Sequence, residues 1–207
     1  MSVFGLIRGF RSSDSTAQPL RLDKSTNSIQ TIEYEHHELH AGSSFTCHFN
    51  NDVTNIGEQT AIAFNTPNTT KWLHILVTAA ATGGSYFSIY EVADLDVDEG
   101  TQLAIYNRDR NSLTESVVTS IATVPVANKA TSYTETQLAG ATLSTATEIM
   151  RRYFGTAGKG GIGGEARTTG EFILKQATQY AFVLTSLTDD TITHNITLDW
   201  YEHTNIA

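Results

Sequence analysis

The chain has 207 residues, of which 17% are charged; 13 Lys and Arg against 22 Asp and Glu give a formal charge of −9. That length supports one or two self-sufficient cores, and the single cysteine, Cys47, excludes an intrachain disulfide framework and a multi-cysteine metal centre. Basic residues gather only as the pairs Arg108, Arg110 and Arg151, Arg152, so no nucleic-acid partner is expected, because phosphate binding needs grouped cations that release counterions.

Residues 1–27 differ from the rest of the chain. They are polar and turn-prone, Pro19 interrupts them, and their apolar side chains are Val3, Phe4, Leu6, Ile7, Phe10, Leu20 and Leu22. The expectation is an extended N-terminal arm whose apolar residues bind a partner or a neighbouring copy, followed by a β-domain over residues 28–207. The apolar run within the first ten residues is too short for a secretion signal, and no stretch reaches the length of a membrane-spanning helix, so no membrane partner is expected.

From residue 29 onward short β-like runs recur between Gly, Asn, Asp and Pro punctuation. The pattern predicts strands over 29–39, 44–50, 59–65, 72–80, 86–93, 102–107 and 116–124, then over 133–143, 171–175, 180–187 and 191–201. Alternation is clean in the last of these, where Ile192, Ile196, Leu198 and Trp200 share one parity against Thr193, Asn195, Thr197 and Asp199. Thr is the leading polar residue and favours half-wet pleated surfaces. Only 143–154 (LSTATEIMRRYF) reads as a short helix, and 154–164 (FGTAGKGGIGG) is too glycine-rich for a strand interior and is expected to form a rim loop. Many short strands without intervening helices predict an all-β fold, a two-sheet antiparallel sandwich of jelly-roll type.

Histidines cluster at His36, His37, His40 and His48, close to Cys47. On a strand His36 and His40 would share a face with Glu38, but His37 would face away and a metal needs three or four converging ligands, so no metal is assigned and structural hydrogen bonding is expected. The triplet Tyr34, Glu35, His36 recurs as Tyr201, Glu202, His203, which points to a link between the chain ends. Asp94, Asp96, Asp98 and Glu99 resemble the start of a calcium loop, but Glu99 stands where such a loop turns on glycine and Ile105 where its last carboxylate belongs. Around Gly158 and Lys159 the phosphate-loop spacing fails at Tyr153 and Gly160. Trp72, Trp200 and Tyr201 could stack on sugars, but their apolar neighbours favour core positions. No catalytic residue and no cofactor are assigned, and the chain is expected not to be an enzyme.

Six segments taken together resemble one recurrent type of tailed-bacteriophage structural protein: 32–46 (IEYEHHELHAGSSFT), 64–76 (FNTPNTTKWLHIL), 87–91 (FSIYE) followed by 106–112 (YNRDRNS), 171–180 (EFILKQATQY) and 200–204 (WYEHT). In that type a similar histidine-rich opening, a TP-x-KW-H element, an NRxRNS turn, a Gly-rich loop and a terminal WYEH follow in the same order. The resemblance spans about residues 18–204. It implies a virion component made in the bacterial host cytoplasm, resembling capsid decoration (cement) proteins that bind the outer surface of the major capsid protein lattice as homo-oligomers, with a trimer favoured and a dimer possible. A carbohydrate-binding or fibre-associated sandwich module on the virion is the alternative.

Overall fold

The computed structural model describes residues 8–10, 17–19, 34–93, 95, 100–118, 130–138, 143–155, 164–167 and 170–204. The chain divides into two compact units, Met1–His37 and Glu38–Ala207. In the first, β1 (Arg8–Phe10) and β2 (Ala17–Pro19) pair antiparallel, with Phe10 opposite Ala17. Of the expected arm contacts, Val3, Phe4, Leu6, Ile7, Leu20 and Leu22 lie outside the described residues, and Phe10 ends β1.

The second unit is all-β, built from two antiparallel sheets. Its long strands are β3 (Ser44–Val53), β4 (Gln59–Asn65), β5 (Lys71–Ala81), β6 (Ser85–Glu91), β10 (Thr147–Phe154), β13 (Gln179–Ser186) and β14 (Ile192–Thr204). Short strands β7 (Thr101–Gln102), β8 (Tyr106–Asn107), β9 (Thr131–Thr134), β11 (Gly164–Arg167) and β12 (Phe172–Ile173) complete them. Sheet I runs β10-β6-β13-β4-β9-β7; sheet II runs β11-β5-β14-β3-β8, with β12 also on β5.

A shared apolar layer joins the sheets. Sheet I contributes Ile62, Phe64, Phe87, Ile89, Phe182 and Leu184; sheet II contributes Phe45, Leu73, Ile75, Val77, Ile196, Leu198 and Trp200. The ring of Trp200 stands 6.3 Å from Phe64 of the facing sheet and 6.0 Å from Phe45 of its own. Burying side chains of this size stabilises by about 1.5–3 kcal/mol each. The predicted parity of β14 holds, since Ile192, Ile196, Leu198 and Trp200 are all buried.

Sheet II alternates because its other face is wet. In sheet I, β4 and β13 are buried on both faces: Ala61, Ala63, Ala181 and Val183 turn outward into a second cluster with Ala93, Leu95, Tyr133 and Leu138. The segment between β6 and β10 thus covers the middle of sheet I, which explains the unbroken apolar runs AIAF and YAFVL.

Several expected elements differ. Where a strand is predicted over 29–39, residues Tyr34–His40 form a helix, α1; its polar composition offers no apolar face for a strand to bury. The helix expected over 143–154 is instead strand β10, whose register shifts between Glu148 and Met150; that bulge breaks the two-residue period and imitates a helical one. The single strand expected over 102–107 splits into β7 of sheet I and β8 of sheet II. The one over 133–143 gives way after β9 to a single helical turn, α2 (Glu135–Leu138). Residues 116–118 carry no strand, and 119–124 lie outside the described residues, as do 156–163 of the glycine-rich segment and the acidic positions 94, 96, 98 and 99.

Candidate functional site

The segments singled out in the sequence come together at one end of sheet II. Strand β14 enters it through Trp200, Tyr201, Glu202 and His203, paired with β5 so that Tyr201 lies opposite His74 and His203 opposite Trp72. On its other side, Tyr201 lies opposite Ser44 of β3. Alternation then sends Trp200 and Glu202 inward and Tyr201 and His203 to the outer face.

On the outer face the rings of His74 and Tyr201 stack at 4.7 Å with 17° between their planes, and His203 approaches His74 at 4.5 Å. The Tyr201 hydroxyl lies 3.2 Å from His74 Nδ1. Glu171, just before β12, closes the group by hydrogen-bonding both the His74 ring and the Tyr201 hydroxyl. Burial, and then the neighbouring His74, hold the His203 pKa below its ordinary value. Trp72 at the rim is 38% exposed and Ile173, opposite His74 on β12, is 54% exposed, so the stacked rings continue into an apolar border.

Inward, Glu202 is 2% exposed, a placement that requires full hydrogen bonding. It receives the Ser116 hydroxyl at 2.5 Å, the Val117 backbone N–H at 3.0 Å and the Trp200 indole N–H at 3.2 Å, with Lys71 Nζ at 3.7 Å. Burial raises its pKa and these donors oppose the rise. One carboxylate therefore ties the last strand to the segment that follows the NRDRNS turn.

That turn is fastened to the same place. Arg108 N–H donates to the Ser44 carbonyl at 2.8 Å, and Asn107 Nδ2 donates to the Gly42 carbonyl at 2.7 Å. Asn107 Oδ1 accepts the Asp109 N–H at 2.9 Å and Asp109 Oδ1 the Asn111 N–H at 3.0 Å, two successive Asx turns that order the loop. Gly42 has φ +71°, and a Cβ there would overlap the Ser112 side chain, so the tight approach of turn and strand requires glycine. Beneath, Ser43 Oγ donates to Glu38, and Glu202 N–H donates to the Ser43 carbonyl at 2.9 Å. The TP element joins as well: Thr66 N–H donates to the Thr178 carbonyl at 2.9 Å, and Gln176 Nε2 donates to the Thr69 carbonyl.

The histidines read as a strand strip belong to α1, in which His37 and His40 are exposed. Among the described residues no group of three or more His, Cys, Asp or Glu is placed to hold a metal ion. The recurring triplet takes two forms, helix at 34–36 and strand at 201–203. Trp200 and Tyr201 are buried as the apolar neighbours predict, whereas Trp72 lies at the surface. Sequence reasoning did not single out His74, Glu171 or Glu202 as site residues. The signal was present: His74 shares the parity of Trp72 on a strand whose opposite parity is apolar from Leu73 to Ala81, and Glu202 shares that of Leu198 and Trp200.

Stacked rings, hydroxyls and carboxylates beside exposed Trp72 and Ile173 place hydrogen-bonding groups and apolar area side by side, the composition of an interaction surface. Among the described residues no helix is long and apolar enough to cross a membrane. Comparison of the chain with protein-family models, with curated proteins and with solved structures finds no match.

Proposed function

We propose that the chain is a non-enzymatic structural protein of a tailed-phage virion, a decoration protein that binds the outer surface of the major capsid protein lattice and stabilises the head. The observation that carries this reading is the convergence just described. The motifs of the phage-type resemblance lie far apart in the chain, yet their backbones and side chains interlock at one end of sheet II. Residues that recur together in sequence then build one end of the fold, whose outer face carries the exposed Trp72 and Ile173.

Strand order supports the jelly-roll form of the fold. Eight strands folded as a jelly roll pair in the orders 1-8-3-6 and 2-7-4-5. Numbering β3, β4, β5, β6, β10, β11, β13 and β14 from one to eight reproduces β3-β14-β5-β11 and β4-β13-β6-β10. The stretch from β7 to β9 is then an insertion between the fourth and fifth strands.

In this reading the protein is made in the host cytoplasm and assembles on the shell as a homo-oligomer, a trimer before a dimer, at symmetry axes of the lattice. The arm of residues 1–27, with Val3, Phe4, Leu6, Ile7, Phe10, Leu20 and Leu22, extends the contact to capsid or neighbour, since an extended segment covers much surface in exchange for ordering entropy.

Co-sedimentation of purified protein with expanded, undecorated shells tests the proposal. Saturable binding at a fixed ratio to the capsid protein is expected, and absence of binding would count against it.

A further inference from the structure

A second surface lies on the opposite sheet, away from the motif cluster. At the edge of sheet I, β10 pairs with β6 so that Tyr153 stands opposite Tyr86, Arg151 opposite Ser88 and Glu148 opposite Tyr90. All six side chains belong to the outer parity of the two strands, whose other parity, with Phe87 and Ile89, fills the core. The rings of Tyr86 and Tyr153 are 5.4 Å apart and tilted by 46°, and Tyr153 is 64% exposed. The Arg151 guanidinium lies 4.6 Å over the Tyr86 ring. It is locked there by a two-pronged pair with Glu148, Nε to Oε1 at 2.6 Å and Nη2 to Oε2 at 3.0 Å, and Ser88 Oγ donates to the same carboxylate at 2.6 Å.

We propose that this patch is a binding site for neutral saccharides, with Tyr153 as the stacking platform. Three features set the ligand class. An exposed ring at a sheet edge accepts the apolar face of a pyranose without desolvating a pocket. The fixed Arg151–Glu148 pair lies against the Tyr86 ring, itself 5.4 Å from Tyr153, and presents N–H donors and carboxylate acceptors, the arrangement that vicinal hydroxyls satisfy, already ordered before ligand arrives. The Arg151–Glu148 pair neutralises itself and offers no net charge to an anionic glycan, and the acidic chain as a whole repels one. One exposed ring and one ion pair make a small contact. Affinity per site is therefore weak, and many copies on one particle would raise it through avidity.

The test is a glycan array carrying neutral and acidic oligosaccharides, probed with the labelled full-length chain presented multivalently, with free oligosaccharide as competitor. Binding to neutral hexose-containing glycans is expected, falling at least tenfold in Tyr153→Ala and in Arg151→Lys, which keeps the charge but loses the fork, and persisting in Tyr153→Phe and Trp72→Ala. Tyr153 is mostly solvent-exposed, and unchanged circular dichroism of each variant excludes unfolding as the cause. No binding to neutral glycans, binding to acidic glycans alone, equal binding by Tyr153→Ala, or self-association through Tyr153 in place of glycan binding would each overturn the assignment. The outcome is separate from shell binding, which the Arg151 and Tyr153 variants leave intact.

Discussion

The Ser116 hydroxyl donates a 2.5 Å hydrogen bond to the buried carboxylate of Glu202, joining positions 86 residues apart. Val117 N–H and the Trp200 indole share the same acceptor, so one side chain satisfies three buried donors. Glu202→Ala strands all of them and should cost about 3 kcal/mol, while Glu202→Gln, which keeps one acceptor oxygen, should cost clearly less. Urea unfolding of the two variants against the parent chain measures both.

His194 on β14 is fully buried between the sheets, with Thr60 Oγ1 at 3.1 Å from Nδ1 and Ser85 Oγ at 3.1 Å from Nε2. Burial lowers its pKa to about 4 from 6.5. A folded-state pKa below the unfolded value means that the unfolded chain binds the proton first, so the stabilising contribution is complete above about pH 6.5 and is lost as pH falls towards 4. The loss attributable to this residue is about 3 kcal/mol. Stability measured from pH 7 to pH 4 should fall more steeply in the parent than in His194→Gln, and equal slopes would show that His194 does not titrate in this way.

Gly42 carries its positive φ where the NRDRNS turn meets β3. Gly42→Ala combines backbone strain with displacement of Ser112, and a loss of about 1–3 kcal/mol is expected. A melting temperature within error of the parent would contradict the tight approach described above.

At the outer face of sheet II, Trp72 and Ile173 contribute surface rather than core. The double variant Trp72→Ala, Ile173→Ser gives up partly buried side chains and should stay folded at a cost of about 1–3 kcal/mol. If this face meets the shell, the same variant binds undecorated shells at least tenfold more weakly; binding at parental affinity would remove the face from the interface.

Much of the fold was legible in the residues because one physical rule generated it. Strands β3, β5 and β14 alternate since sheet II has one wet face, and β4 and β13 read as unbroken apolar runs since the β6–β10 segment covers their second face. The failures have local causes. A bulge at Ile149 shifted the period of β10, and in α1 the alternation of His36, Glu38 and His40 mimicked a strand although only Leu39 and Tyr34 in that helix are apolar. The candidate site was legible in pieces. Periodicity placed Glu202 inward and His74 outward, but that Glu171 would reach both His74 and Tyr201 depends on β12 pairing with β5 across a separation of nearly a hundred residues. Pairing of that range leaves no mark on local pattern.

Removal of residues 1–27 tests the proposed arm. The shortened chain should keep the unfolding midpoint of the parent within a few degrees and lose binding to expanded shells. Full shell binding by the shortened chain would assign the contact to the sandwich alone.

The central claim, that this protein covers a capsid lattice, is tested most directly by its copy number in purified particles, counted against the major capsid protein on a stained gel. A lattice-bound protein must be present on the order of hundreds of copies, in a fixed ratio to the capsid subunit. A dozen copies or fewer would place it at the tail or portal, and its absence from the particles would contradict the account altogether.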